Sequence, residues 1–246
     1  MAIEPEASNE RNKAAYEVPA RGESLSEQVY RQLCGAVLSG TYAPDERISI
    51  RRIAEELRVS ATPARESVLR LISEGVLQAT DRNAIIVPSR TVEEIEEIFV
   101  IRRGLEGTLA ETAASRLTAA DLEFLSATQA AFLEAKRAQD FKRVLKYNSE
   151  FHFRIYRSAG LPVHLKIVEG LWLRIGPTLR YMYPILNGGG QDHGHHDDIL
   201  ECARARDGEQ LKAAVISDLD TSEIALHMYI RQTAAEARRR KARLTV

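Results

Sequence analysis

The chain has 246 residues, of which 44% are hydrophobic and 28% charged, and its formal net charge is −1. A chain of this length predicts one large domain or two ordinary ones. No apolar run approaches the about 20 residues that a membrane-spanning helix needs, so a membrane protein is excluded. Two widely separated cysteines and a polar start without an apolar core predict a cytoplasmic protein with free thiols. The near-neutral charge still allows nucleic-acid binding, because a local basic patch is sufficient.

The first part of the chain predicts a flexible arm followed by two helices. Residues 1–23 are polar and interrupted by proline and glycine. From residue 24 onward, hydrophobic side chains recur every three or four positions up to Gly40, which is typical of an amphipathic helix. After a turn, a short second helix is predicted, with a buried face formed by Ile50, Ile53, Ala54 and Leu57.

A third helix and a β-hairpin complete the pattern of a winged helix-turn-helix. Ser60 or Thr62 is a suitable N-cap for this helix. Two short strands at residues 76–79 and 84–87 surround polar residues that tolerate a tight turn. The order of three helices and a hairpin predicts a DNA-binding domain over residues 24–88. The inward face of the third helix is predicted to carry Val68, Leu69, Leu71 and Ile72.

After residue 91 the hydrophobic pattern is helical throughout. The breaks in this pattern predict six helices, at residues 91–117, 119–138, 140–159, 162–184, 192–206 and 208–236. The sequence therefore predicts a mainly α protein. Its winged helix-turn-helix is followed by an all-α six-helix bundle for effector binding and dimerisation over residues 91–236, and by a basic tail over residues 237–246.

Arginines cluster in the helix-turn-helix. Residues 47–70 hold six arginines against three glutamates. Arginine pairs with phosphates and can bind guanine through two hydrogen bonds, so the spaced set favours contact with double-stranded DNA over simple solvation of a helix. The start of the second helix of such a motif enters the major groove. The residues predicted here to contact DNA are Arg51, Arg52, Ser60, Thr62, Arg65 and Arg70.

The same stretch contains a spaced motif, Ile53-Ala54-x-x-Leu57-x-Val59-Ser60-x-Thr62-Pro63-x-Arg65-Glu66. Together with its flanking residues, it resembles the GntR family of winged-helix regulators. The resemblance implies that Arg51, Ser60, Thr62 and Arg65 contact DNA. It also implies that Arg82, in the wing, reaches the minor groove. The chain departs from the family pattern at Ala61 and Asn83, which affects the expected operator sequence and not the fold.

The helical half resembles the FCD effector domain of the FadR-type branch of that family, and its six helices resemble the VanR-type subgroup. Many members of this branch hold a divalent metal with one aspartate and three histidines. The resemblance implies that the four positions are Asn148, His152, His196 and Asp220 in this chain. Such a set suits zinc, with nickel, manganese or iron as alternatives. The other interpretation is that the metal has been lost and that His152 is a hydrogen-bonded pocket residue.

Arg102 lies on an apolar helix face, where a guanidinium needs an anion. Glu106, one turn along, is one candidate, and an acidic effector, as the resemblance implies, is the other. Tyr147 is a further candidate for the effector pocket, as are Tyr181 and Tyr183, although core packing is expected for at least two of the three tyrosines.

Together with the resemblance, these patterns imply a ligand-responsive homodimer that binds a palindromic operator, and the resemblance implies that it represses a catabolic operon. A small carboxylate would be its effector, bound beside the metal. The second candidate is a metal-dependent hydrolase that uses the His/Asp cluster. It is disfavoured because no carboxylate lies at general-base spacing near His152 or His196, and because it leaves the DNA-binding half unexplained.

Overall fold

The computed structural model describes residues 24–80, 84–183 and 195–243, with side chains of the last helix described to residue 233. Within these ranges the chain forms nine helices and three short strands. The N-terminal head consists of α1 (Leu25–Leu38), β1 (Arg47–Ile48), α2 (Ile50–Leu57), α3 (Ala61–Ser73), β2 (Gln78–Ala79) and β3 (Ile85–Ile86). The helical domain consists of α4 (Val92–Ala113), α5 (Ala119–Arg137), α6 (Phe141–Ser158), α7 (Pro162–Leu179), α8 (His195–Ala205) and α9 (Gly208–Arg243).

Local signals set the ends of the helices in the head. The Ser24 hydroxyl accepts a hydrogen bond from the backbone N–H of Glu27 and so caps α1. The chain leaves α1 and α3 through Gly40 and Gly75, whose φ angles of 63° and 70° favour glycine. Ser60, one of the two predicted caps, occupies the N-cap position of α3, but its side chain makes no capping hydrogen bond.

The three strands form one antiparallel sheet in the order β1-β3-β2. β2 and β3 are the predicted hairpin. The sequence pattern did not reveal β1, because two residues are too few to display an alternation of polar and apolar side chains.

One prediction about the core of the head is wrong. Val68 and Leu71 are buried as expected, but Leu69 is 58% exposed. Each residue of a helix turns the side chain by about 100°, so the position directly after Val68 leaves the inner face. The core that results joins the three helices to the sheet and includes Leu33, Val37, Ile53, Val68, Leu71 and Ile85.

The helical domain has six helices in the described residues, at the predicted places. Thr91 and Thr118 each begin a helix with a capping box, in which side chain and backbone bond reciprocally. The central helix α4 packs against α6, α7 and α9. The last helix was predicted to end at residue 236, before a basic tail, but α9 continues to Arg243, so residues 237–243 are helical. Among the described residues, no helix is both long and apolar enough to cross a membrane.

The head and the helical domain meet at α7. Leu173 of α7 is buried in the core of the head, and Gly176 lies against the backbone of Leu38. Hydrogen bonds tie this helix to the ends of two head helices: Arg174 donates to the Glu74 carbonyl at 2.9 Å, and Arg180 donates to the Gly40 carbonyl at 3.1 Å. The position of α7 is therefore mechanically linked to the ends of α1 and α3.

Candidate DNA-binding surface and effector site

Four of the predicted DNA-contacting residues lie exposed around the start of α3. Arg51 is in the first turn of α2, and its side chain is 89% exposed. Ser60, Thr62 and Arg65 are exposed at and after the beginning of α3. Short hydroxyls allow the backbone to approach a phosphate, and an arginine can reach phosphate or base. This surface has the groups that a recognition helix needs.

The structure gives two other predicted residues partners inside the head. Arg52 bonds to Glu46 and Glu56, both at 2.7 Å. Arg70 donates to Glu27 at 2.7 Å and to Glu74 at 3.2 Å, with its guanidinium 3.5 Å from the centre of the Tyr30 ring.

Both arginines therefore connect elements of the head, whereas Arg65 forms no ion pair with any described residue. Arg82, the predicted wing contact, lies outside the described residues.

Buried polar side chains from α6, α8 and α9 meet in the helical domain. His152 and His196 are 1% and 5% exposed, and their Nε2 atoms are 3.3 Å apart. Asn148 Oδ1 lies 3.1 Å from His196 Nε2, and Asp218 Oδ2 lies 3.3 Å from His152 Nε2. Asn148 and His152 project from the same face of α6 because they are four positions apart. We call these four residues the histidine cluster.

Hydrogen bonds outside the cluster determine the tautomer of His196. Gln129 donates its amide N–H to Asp197 at 3.0 Å, so its oxygen turns toward the histidine. His196 Nδ1 lies 2.9 Å from that oxygen, which can only accept, so Nδ1 carries the proton. The Nε2 atom of His196 consequently presents a lone pair to the cluster.

A second chain of hydrogen bonds orients His152 in the same way. Tyr156 donates its hydroxyl proton to Glu106 at 2.7 Å. The hydroxyl oxygen then accepts from His152 Nδ1 at 3.2 Å, which leaves the lone pair of His152 on Nε2. Both histidines thus direct an acceptor atom toward the centre of the cluster.

The charge states complete the donor set. Burial, assisted by the neighbouring His152, lowers the pKa of His196 to about 3, so this ring is neutral at pH 7. Asp218 contributes a carboxylate oxygen, which lies 3.3 Å from His152 Nε2. Two imidazole nitrogens, one amide oxygen and one carboxylate therefore converge, and a divalent cation is the group that such a set of acceptors can hold.

The structure places Asp220, the predicted carboxylate, outside the histidine cluster. Asp220 accepts a hydrogen bond from Arg103 at 2.6 Å, and its side chain is 48% exposed. The His/carboxylate group within metal-ligating distance comprises His152, His196 and Asp218. Leu211 and Val215 are fully buried, and Asp218 follows at the helical spacing that continues their face. That periodicity is visible in the sequence, whereas the family resemblance implied Asp220.

Glu106 neutralises the charge of Arg102. It was one of the two anions expected there, with an acidic effector as the other. Arg102 is 2% exposed and donates to Glu106 at 2.5 Å. The same carboxylate accepts from Tyr156 and from the Trp172 indole, the latter at 3.0 Å. Because Tyr156 in turn contacts His152, this ion pair lies directly behind the histidine cluster.

The structure separates the three candidate tyrosines. Tyr147 points toward Arg143, with the hydroxyl 3.4 Å from a guanidinium nitrogen. Tyr181 stacks on Tyr229. Tyr183 is 3% exposed, and its hydroxyl has no hydrogen-bond partner among the described residues. Its ring lies 6.2 Å from that of Phe132, which in turn contacts His196.

A winged helix-turn-helix with an exposed recognition helix, joined to a helical domain, defines a DNA-binding transcription regulator. The model of bacterial regulatory proteins of the gntR family matches residues 25–87, and the FCD domain model matches residues 97–221. The chain belongs to the GntR family and carries its FCD domain. Neither model specifies a subgroup, so the VanR-type assignment stays a prediction.

Known relatives agree with this assignment. The chain is 32% identical to the HTH-type transcriptional regulator McbR of Escherichia coli (strain K12) over 188 residues, which cover 76% of this chain and 85% of McbR. It is 24% identical over 199 residues to the HTH-type transcriptional repressor RspR of the same strain, covering 79% and 86%. A solved structure of E. coli McbR/YncC matches with a TM-score of 0.76 at 28% identity, covering 84% and 98%. The protein is thus a transcription regulator and not an enzyme.

Proposed function

We propose that this regulator binds a divalent metal at Asn148, His152, His196 and Asp218, and that a small carboxylate effector binds at this metal to control DNA affinity. The convergence of four acceptor atoms in the histidine cluster carries the proposal. Without a cation, two imidazole lone pairs would face each other at 3.3 Å in a buried site, which is electrostatically unfavourable.

Zinc is the metal that we favour. Zinc bonds of about 2.0–2.2 Å place tetrahedral ligands about 3.4 Å apart. Neighbouring donors of the cluster are 3.1 and 3.3 Å apart. When bound, the metal would supply a Lewis-acidic position for an effector oxygen, while Asn148 would be the weakest protein ligand.

The effector would complete a partly built pocket. Tyr183 offers a buried hydroxyl with no partner in the described part of the chain, and a carboxylate oxygen is a suitable acceptor for it. We therefore include Tyr183 in the effector site. Arg102 and Glu106 support His152 from behind, through Tyr156. Tyr147, which points toward Arg143, is not part of the proposed effector site.

Effector binding would reach the DNA-binding head through α7. Trp172 contacts Glu106, and its ring lies 5.5 Å from that of His152. Its neighbour Leu173 is part of the core of the head. An effector that binds more tightly to one position of α7 shifts the head toward the matching arrangement, by its difference in affinity for the two states. Release of DNA, and hence repression in the absence of effector, is the outcome that we propose.

A homodimer would present two heads to a palindromic operator. Val100 and Ile101 of α4 and Ile224 and Met228 of α9 are exposed by 65%, 41%, 61% and 46%. These two helices pack side by side, so the four side chains form an apolar face that a second copy of the chain can cover. Arg51, Ser60, Thr62 and Arg65 of each head would contact DNA.

Metal analysis and DNA binding on the same preparations test the proposal. Inductively coupled plasma mass spectrometry should find one zinc per chain in the purified wild-type protein and none in His152→Ala/His196→Ala. An operator fragment selected from random DNA by the wild-type protein should bind both proteins. Candidate carboxylates should release DNA only from the wild type. Unchanged metal content in the double variant would overturn the site.

A further inference from the structure

A separate cleft lies at the junction of the head and the helical domain. It encloses about 410 Å³ between the C-terminal part of α1 and the first turns of α6. Gly35 and Leu38 line it from the head. A Cβ atom added at Gly35 would meet no atom within 4 Å, so this wall is open. The cleft is therefore large enough for a small organic molecule and is built by both domains.

The α6 wall of this junction cleft is cationic. Lys142, Arg143 and Lys146 line it, together with one carboxylate, Glu150. Lys146 lies 3.8 Å from Glu150, whereas Lys142 and Arg143 form no ion pair with any residue that the structure describes. All three cations occupy the first turns of α6, which begins at Asp140, whose carboxylate accepts from the Arg143 backbone N–H at 3.1 Å. The wall thus presents three exposed cations against one lining carboxylate, with Asp140 at the start of the helix.

We propose that the junction cleft binds an amphipathic organic anion, with its acidic group on Lys142 and Arg143 and its apolar body against Gly35 and Leu38. Charge and shape both point to this class, because the floor is apolar and the rim is cationic. The site does not depend on the proposed metal. Asn148 and His152 leave α6 on its inner face, whereas Lys142 and Lys146 leave it toward the cleft.

The position of the cleft argues against DNA as the occupant. The head meets the helical domain through Gly40 and Gly75, which follow the C-terminal ends of α1 and α3. Ser60 begins α3 at its other end, and 13 helical residues separate the two ends by about 20 Å. Ser26 and Tyr30 of α1 contact Ser67 and Glu74 of α3, so α1 continues past the C-terminal end of α3 to the cleft, away from the recognition surface.

A ligand in the junction cleft would bridge α1 and α6. It would favour the arrangement of the two domains in which α1 and α6 both contact it. The ligand would thus regulate the position of the head independently of the histidine cluster.

Titration of the full-length protein with 1-anilinonaphthalene-8-sulfonate, a fluorescent amphipathic anion, tests the proposal. The wild type should bind one dye per chain with increased fluorescence, in the presence or absence of EDTA. Lys142→Gln/Arg143→Gln should weaken binding roughly fivefold or more, since two exposed charges are lost. Gly35→Leu adds a side chain whose Cβ meets no atom within 4 Å and improves helix propensity, and it should abolish the site by occupying the open wall.

Arg137→Gln/Arg204→Gln is the matched control, because it removes two exposed cations from α5 and α8. It should bind the dye as the wild type does. Circular dichroism melting should verify that each variant is folded. Equal dye affinity in the wild type, Gly35→Leu and Lys142→Gln/Arg143→Gln would overturn the proposal, as would displacement of the dye by random-sequence DNA. Loss of metal binding in the cluster variants leaves this result unaffected, so the two proposals fail separately.

Discussion

Trp172 and Leu173 are consecutive residues of α7 that serve different domains. The indole N–H of Trp172 donates to Glu106 at 3.0 Å, behind the histidine cluster, while Leu173 is 5% exposed within the core of the head. A helix moves as a rigid unit over such a short distance, so displacement of one side chain displaces the other. This adjacency is the physical basis for coupling between the effector site and the DNA-binding surface.

Replacing Trp172 with Phe tests that coupling. The variant keeps an aromatic ring but removes the hydrogen bond to buried Glu106, which should cost about 1–3 kcal/mol of folding stability. Zinc and effector should then change operator affinity several-fold less than in the wild type. Gel-shift titrations with and without zinc measure this difference. Leu38→Val, at the same domain junction but away from Glu106, is the control, and an undiminished zinc effect in Trp172→Phe would refute the route through α7.

Asp218→Asn and Asp220→Asn distinguish the observed carboxylate from the one first predicted. Loss of the buried ligand at Asp218 should weaken zinc binding by roughly tenfold or more, in line with the loss of one anionic ligand. Asp220→Asn removes an ion pair to Arg103 that is half exposed, so zinc affinity should stay unchanged and stability should fall by less than about 1 kcal/mol. Competition with a zinc chelator measures both affinities. The reverse ranking would reinstate Asp220.

The contrast between these two aspartates illustrates how far the sequence could lead. Helices were predictable because caps such as Thr91 and Thr118 coincide with the start of hydrophobic periodicity. His152 and His196 were predictable from their pattern along the chain. The carboxylate depends on the rotation of α9, where a two-residue shift turns a side chain by about 200°.

The junction cleft could not be predicted at all, since it forms only when α1 packs beside α6. Likewise, the composition of the arginine cluster gave no indication that Arg52 and Arg70 bond within the head. Glu56 and Glu74 follow their arginines at the i,i+4 spacing of a helix. Glu46 and Glu27 lie on other elements, and only the folded head brings them into contact with Arg52 and Arg70.

Arg65→Ala and Arg70→Ala separate DNA contact from folding. Arg65 is exposed near the start of α3, so its loss should reduce operator affinity by about 1–3 kcal/mol and leave the melting temperature unchanged. Arg70 links Glu27 to Glu74 and covers the Tyr30 ring, so its loss should lower stability by about 1–2 kcal/mol. Thermal melting and fluorescence anisotropy with labelled operator give both quantities. Normal operator binding by Arg65→Ala would show that the recognition surface is misassigned.

The apolar face on α4 and α9 predicts the oligomeric state. Ile224→Glu/Met228→Glu introduces two charges at the centre of that face and should convert the dimer to a monomer, because burying unpaired carboxylates against a second copy is costly. Light scattering coupled to size exclusion measures the mass. Leu69→Glu changes an equally exposed leucine in the head, 58% against 61% for Ile224, and should leave the dimer intact. Operator affinity should fall in the monomeric variant, since each head would then bind its half-site alone. A dimer that survives in Ile224→Glu/Met228→Glu would place the interface elsewhere on the molecule.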